Sequence, residues 1–194
     1  MEKDKMRRRC KLLIIGGSAG SLQVLINILP KIVLPIPFAI VVVVHRKNTY
    51  DTILEDLIAL KTMIPVEYVE DKTVLAPGII YVAPSDYHLL FEDKNTLSLD
   101  GSEKVNYSRP SIDVSFESAA LIFKQELVAI LLSGANADGT KGMQTIQEEG
   151  GVTIVQRPET AEIPYMPEYA IQNSNPDFIF TEDEIVNFVN STIQ

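Results

Sequence analysis

The sequence predicts an α/β fold of three layers: a mostly parallel, doubly wound sheet with helices on both faces, and an antiparallel hairpin region around residues 79–99. Three observations carry this reading. Short, nearly unbroken apolar runs recur along the chain, as in strands covered on both faces; stretches with apolar residues at helical spacing lie between them; and turn-forming residues separate the two. The 194 residues suit one domain with a substantial core, and 46% hydrophobic against 22% charged residues is an ordinary globular balance. We read residues 1–10 as a basic tail and 11–194 as a single domain, since no linker divides the chain.

Leu12 to Ile15 and Phe38 to Val44 are the first two strands, the second rich in β-branched Val and Ile. Between them Leu22, Leu25, Ile26 and Leu29 repeat at helical spacing before Pro30, the crossover helix of a βαβ unit. Asp51 to Lys61 reads as a second helix and Val66 to Val69 as a short strand. Ile79 to Ala83, Tyr87 to Phe91 and Thr96 to Leu99, separated by Pro84-Ser85-Asp86 and Asp93-Lys94-Asn95, read as antiparallel hairpins forming an edge or flap. A helix from Ser111 to Lys124, a buried strand Leu127 to Leu132, a helix from Gly139 to Glu149 and a strand Val152 to Val155 make a second βαβ arrangement. A last strand, Asp177 to Phe180, precedes a helix opened by the capping-box pair Thr181 and Glu184 and running through Val189.

A net charge of −9 opposes binding to nucleic-acid backbones and anionic lipid, both of which need clustered Lys and Arg. The one basic run, Lys5 to Lys11, is followed by only four apolar residues before Gly16, too few for a signal core or a membrane span. We therefore expect a cytoplasmic protein with no nucleic-acid partner and no membrane insertion. The single Cys10 cannot form an internal disulfide, and it lacks the Gly-rich turn or nearby His of a thiol nucleophile.

In open parallel sheets ligands bind beyond the carboxyl ends of the strands. Three of those ends carry reactive residues: Gly16-Gly17-Ser18-Ala19-Gly20-Ser21 after the first strand, His45 after the second, and Ser133-Gly134-Ala135-Asn136-Ala137-Asp138-Gly139 after the strand Leu127 to Leu132. A Ser, a His and an Asp placed so can converge as nucleophile, general base and orienting acid. Small residues around Ser18 permit a sharp strand-to-helix turn, and the following helix aims its N-terminal amides at developing negative charge. A phosphate-binding turn is the alternative for this loop. It fails the G-x-G-x-x-G spacing, lacks the Lys-Ser/Thr of a P-loop, and has His45 where a ribose-binding acid would stand. Spacing alone leaves Asp138 balanced between helix N-cap and triad member, and keeps Asp86 and Asp113 as other acids in suggestive loops. His88, in the hairpin region, reads as structural or as part of a cleft rim. We expect no metal and no cofactor.

The loops together resemble the catalytic domain of the bacterial chemotaxis protein-glutamate methylesterases, the CheB family, over about residues 11 to 190. The likeness lies in Ile15-Gly16-Gly17-Ser18-Ala19-Gly20, Val44-His45, Tyr81-Val82-Ala83-Pro84-Ser85-Asp86-Tyr87-His88, Arg109-Pro110-Ser111-Ile112-Asp113-Val114, and Leu132 to Met143. The resemblance implies Ser18 as nucleophile, His45 as base and Asp138 as the acid orienting it. It implies a methyl ester on a chemoreceptor glutamate as substrate, cleaved through an acyl-enzyme, with glutamine deamidation by the same chemistry, and the receptors' cytoplasmic helices as partners.

Ala135 stands where the family usually has Met beside the oxyanion site, so Ala19 and Ala135 are the expected oxyanion contacts. Ala19 and Ser21 replace the usual Thr and Gly after the nucleophile, and Arg46-Lys47 replaces Met-Pro after His45. Arg109 is a candidate for steering an acidic receptor helix against simple surface solvation. About ten residues precede the first strand, so an attached receiver domain is not expected in this chain. Two other readings stay open: an interaction module of the same fold that has lost turnover, and a nucleotide-binding α/β domain.

Overall fold

The structure, a computed structural model, describes residues 10–46 and 52–193. The basic run before Cys10 and Lys47 after Arg46 lie outside the described residues. Seven strands form one parallel sheet: β1 (Leu12–Gly17), β2 (Ala39–Val44), β3 (Val66–Tyr68), β4 (Ile80–Val82), β7 (Leu127–Leu131), β8 (Val152–Gln156) and β9 (Phe178–Phe180), in the order β3-β4-β2-β1-β7-β8-β9. The antiparallel pair β5 (His88–Asp93) and β6 (Thr96–Asp100) stands apart.

Alternation along β1 builds two cores. Leu13 and Ile15 face helices α1 (Ser21–Ile28), α2 (Ile53–Lys61) and α6 (Glu182–Ile193), meeting Leu25, Ile58 and Ile185. Leu12 and Ile14 face α3 (Ile112–Phe123), α4 (Thr140–Glu148) and α5 (Tyr165–Ser174), meeting Phe116, Ile146 and Met166. With every β1 side chain buried, each Leu or Ile of the strand contributes roughly 1.5–3 kcal/mol by leaving water. The expected three-layer, doubly wound arrangement is therefore the observed one.

Two elements differ from expectation. Ile80–Val82 is a parallel strand between β2 and β3, not part of the hairpin region. All three of its side chains are buried, which suits a central strand rather than a half-wet flap, and Pro84 ends it two residues later. The hairpin proper is confined to β5 and β6 and lies on α3, where Ser115 Oγ donates to the Leu89 carbonyl at 2.8 Å. Helix α5 has no counterpart in the sequence reading. Its buried set is Met166, Pro167, Ala170 and Ser174, and such small side chains make a faint apolar stripe.

The chain fills the sheet outward from β1 on one side and from β7 on the other. The topological switch point lies between those two strands, and the crevice beyond their carboxyl ends is where such a fold binds ligands. Candidate residues from β1, β2 and β7 all leave the sheet there.

Candidate active site

Register brings the three loops together. Gly17 of β1 pairs with Val44 of β2, so Ser18 and His45 leave the sheet side by side, and the His45 amide donates to the Gly17 carbonyl at 3.2 Å. On the other flank the Ser18 amide donates to the Ser133 carbonyl at 2.9 Å. The chain then turns sharply: the Ser18 carbonyl accepts from the Ser21 amide at 3.0 Å and from Ser21 Oγ at 2.6 Å, and Gly20 takes a positive φ of 82° at the start of α1. Gly134 lets the two loops approach, because a Cβ there would lie 2.6 Å from Met166 Cε and 3.0 Å from Ser18 Cβ.

Asp138 is fully buried and its carboxylate meets donors on both oxygens. His45 Nε2 is 2.7 Å from Oδ2, which also accepts from the Ile112 amide at 2.7 Å. Oδ1 accepts from Ser111 Oγ at 3.0 Å, the Asp113 amide at 3.0 Å, the Gly139 amide at 3.1 Å and Asn106 Nδ2 at 3.3 Å. Burial alone would raise this carboxyl. The His45 hydrogen bond and the Asp113 and Ile112 amides, at the positive end of α3, overcome that and bring it down to about 2. The N-cap reading of Asp138 is thus resolved in an unexpected way: it does not cap α4, whose N-cap is Gly139, but sits at the start of α3 beside that helix's own cap, Ser111.

Among the described residues Asp138 is the acid that hydrogen-bonds His45, and the other two suggestive acids have other partners. Asp113 accepts from the Gly142 amide at 2.8 Å and shares Asn106 Nδ2 with Asp138, at 3.0 Å. Burial first, and the nearby Asp138 charge, push its carboxyl up to about 6 against the pull of the Gly142 amide. Asp86 pairs with the Arg109 guanidinium at 2.6 Å. That guanidinium also donates to the carbonyls of Gly101 and Ser102, so it clamps the strap of residues 101–109 that joins β6 to α3. His88 is buried and structural: its Nδ1 accepts from the Ser111 amide at 3.1 Å and its Nε2 donates to the Glu103 carbonyl at 3.0 Å. Burial pushes the Cys10 thiol up to about 12, leaving it without thiolate reactivity.

The strap carries further residues of the site, Asn106 and Ser108, which no sequence motif marks. Val105 and Ser108 exchange both backbone hydrogen bonds across a turn in which Asn106 and Tyr107 have positive φ, 50° and 62°. This turn aims Asn106 at Asp138, sets Ser108 Oγ 3.4 Å from His45 Nδ1, and leaves Tyr107 wholly exposed. Asn136 Nδ2 also lies 3.4 Å from His45 Nδ1. A serine before an apolar helical stretch and an Asn two residues before an Asp were the available signals for Ser111 and Asn136.

No hydrogen bond joins Ser18 Oγ to His45 among the described residues; the Ser18 side chain is half-buried and unpartnered, with Nδ1 of the base turned away from Asp138. Ala19 and Ala135 are exposed, and among the described residues their amides donate to no acceptor. No cluster with metal-binding composition occurs among the described residues. A serine hydroxyl, a histidine held by a buried carboxylate and two open amides at the carboxyl ends of neighbouring parallel strands have the composition that acyl transfer needs.

Comparison with known proteins agrees with this chemistry. The family profile described as CheB methylesterase matches residues 13–189. A putative protein-glutamate methylesterase/protein-glutamine glutaminase of Leptospira interrogans is 40% identical over 177 residues, covering 89% of this chain and 90% of that protein. A protein-glutamate methylesterase/protein-glutamine glutaminase of Thermotoga maritima is 33% identical over 87% of this chain, which spans 50% of that relative's length. The crystal structure of the Thermotoga maritima CheB methylesterase catalytic domain superposes with a TM-score of 0.88 at 30% identity, covering 93% of this chain and 97% of that one.

Proposed function

The chain belongs to the CheB methylesterase family, and on that premise we propose that it hydrolyses methyl esters of glutamate side chains on chemoreceptors, with Ser18, His45 and Asp138 as its triad. The observation that carries the reading is the 2.7 Å contact of His45 with a buried, fully hydrogen-bonded Asp138 beside the Ser18 turn. Ser18 Oγ attacks the ester carbonyl while His45 Nδ1 takes its proton. Asp138 keeps the other hydrogen on Nε2 and stabilises the imidazolium as it forms. The amides of Ala19 and Ala135 receive the oxyanion. Methanol leaves with the proton from His45, and water, activated by the same ring, releases the glutamate. A glutamine amide follows the same course with ammonia as leaving group.

Arg109 is committed to Asp86, Gly101 and Ser102, so in this reading it holds the strap in place rather than steering an acidic helix. The partner is the cytoplasmic helical region of a methyl-accepting receptor and the compartment is the cytoplasm. No helix among the described residues is long and apolar enough to cross a membrane. The altered neighbours of Ser18 and His45, and the absence of a Ser18–His45 hydrogen bond among the described residues, favour an inactive interaction module. Such hydrogen bonds tighten when substrate arrives, and the two observations together do not outweigh the organised base. Methanol release from methylated receptor tests the proposal. The parent should turn over and Ser18→Ala should not; equal release from both would remove Ser18 as nucleophile.

A further inference from the structure

The His45 nitrogen that faces away from Asp138 has two neighbours of different kinds. Among the described residues, Ser108 Oγ and Asn136 Nδ2 are the groups within hydrogen-bond reach of Nδ1, each at 3.4 Å. A hydroxyl can donate to a lone pair or accept from an N–H, so Ser108 suits either protonation state of the ring. An amide NH₂ can only donate. Asn136 cannot exchange its two ends, because its Oδ1 accepts the Asp138 backbone N–H at 3.1 Å in an Asx turn, which turns the NH₂ toward His45.

We propose that Asn136 is a positioning residue of the triad: it holds His45 as the neutral ring with its hydrogen on Nε2, keeping Nδ1 as the acceptor that Ser18 needs. The inference rests on the hydrolase reading given above. The Asp138 carboxylate, 2.7 Å from Nε2, fixes a hydrogen on that nitrogen and leaves Nδ1 to the groups that face it. A ring with hydrogen on both nitrogens cannot accept the Ser18 proton. Asn136 disfavours that state, because a hydrogen on Nδ1 would point at an amide NH₂. The 3.4 Å contact is long, so the Ser18 hydroxyl can replace it in the reactive complex at small cost.

Among the described residues the other charged and titratable groups around the ring are Arg46 beside it in the chain, Lys104, Tyr107 and Arg109 from the strap, and Asp86 from the segment after β4. Asp113 stands behind Asp138, joined to it through Asn106. Arg46 pairs with Glu55 and Arg109 with Asp86, which offsets both cations.

The test follows the two histidines by ring-¹⁵N NMR in the whole chain, with the buried His88 as internal reference. In the parent the nitrogen shifts should report hydrogen on His45 Nε2 and a bare Nδ1. In Asn136→Ala the pH at which the His45 resonances change should move upward by on the order of half a pH unit. The isosteric Asn136→Asp should move it further, because a carboxylate replaces a donor, while His88 stays fixed. The acid limb of methyl-ester hydrolysis against pH should move with it, the alkaline plateau falling less than roughly threefold. Unmoved His45 resonances in both folded variants, or a bare Nε2 in the parent, would overturn the proposal. The ring titration needs no turnover, so inactivity of every form would count against the proposed function alone.

Discussion

Ser18 and Asp138 stand on adjacent loops, after β1 and β7, yet the fold treats them in opposite ways. The Asp138 carboxylate is buried and receives donors from α3, from its own loop, from the strap and from His45. Among the described residues the Ser18 loop is tied down through its backbone, to Ser133 and Ser21, and its half-buried hydroxyl has no partner. The difference teaches how the site divides its work. In the proposed triad, an acid that must keep one geometry through the whole cycle is over-determined, whereas a nucleophile that must bond to substrate and be released is left with freedom.

The sharpest way to break the contrast is to delete each partner in turn. Ser18→Ala should lose about five to six orders of magnitude in kcat for methanol release. Its unfolding free energy in urea should stay within about 0.5 kcal/mol of the parent, since no hydrogen bond to the side chain is lost. Asp138→Asn should lose about 10⁴ in kcat by presenting the wrong partner to His45. Unlike the serine variant, it should also cost about 2–4 kcal/mol of stability, because amides and a hydroxyl arranged for an anion lose part of their acceptor. Equal stabilities for the two variants would erase the distinction.

Smaller changes sharpen it. Gly134→Ala places a Cβ against Met166 and Ser18. Met166 can give way and Ser18 shifts, so about a tenfold loss in kcat with roughly 1 kcal/mol of destabilisation is expected from steady-state kinetics and denaturation. The pH dependence of stability should separate the two buried acids of the Asp138 network. Asp138, lowered to about 2 in the fold from an ordinary 3.8, contributes stability that is present above 3.8 and lost as pH falls through 2. Asp113, raised to about 6, has the opposite sign: folding favours its protonated form, so its contribution is present below 3.8 and lost as pH rises through 6. Asp113→Asn should therefore flatten the decline between pH 4 and 6, by on the order of 1 kcal/mol in urea titrations.

Much of this site was legible because its residues follow strands whose apolar runs are unmistakable. Once β1, β2 and β7 were recognised as parallel strands, Ser18, His45 and Asp138 had to share one end of the sheet. The network around them was not legible. Asn106 and Ser108 lie on a strap whose path depends on a turn of two left-handed residues and on the Arg109 clamp, and neither has a periodic signature. Asn136 is held by an Asx turn of two residues, too short to stand out in a loop rich in small side chains. Helix α5 hid for a different reason: it buries Ala170 and Ser174 against its neighbours, so packing rather than apolar period holds it. β4 was visible as a strand, but which sheet it joins depends on the burial of Ile80 and Val82 on one face and Tyr81 on the other.

The nucleophile assignment meets its most direct test in mass spectrometry after exposure to a fluorophosphonate, because two serines have a claim on the same base. Ser108 faces His45 Nδ1 at 3.4 Å, whereas Ser18 stands at the carboxyl end of β1 beside the open amide of Ala19. A single adduct on Ser18 is expected, absent in Ser18→Ala and slowed in Asp138→Asn. An adduct on Ser108, or no adduct on the folded parent, would contradict it.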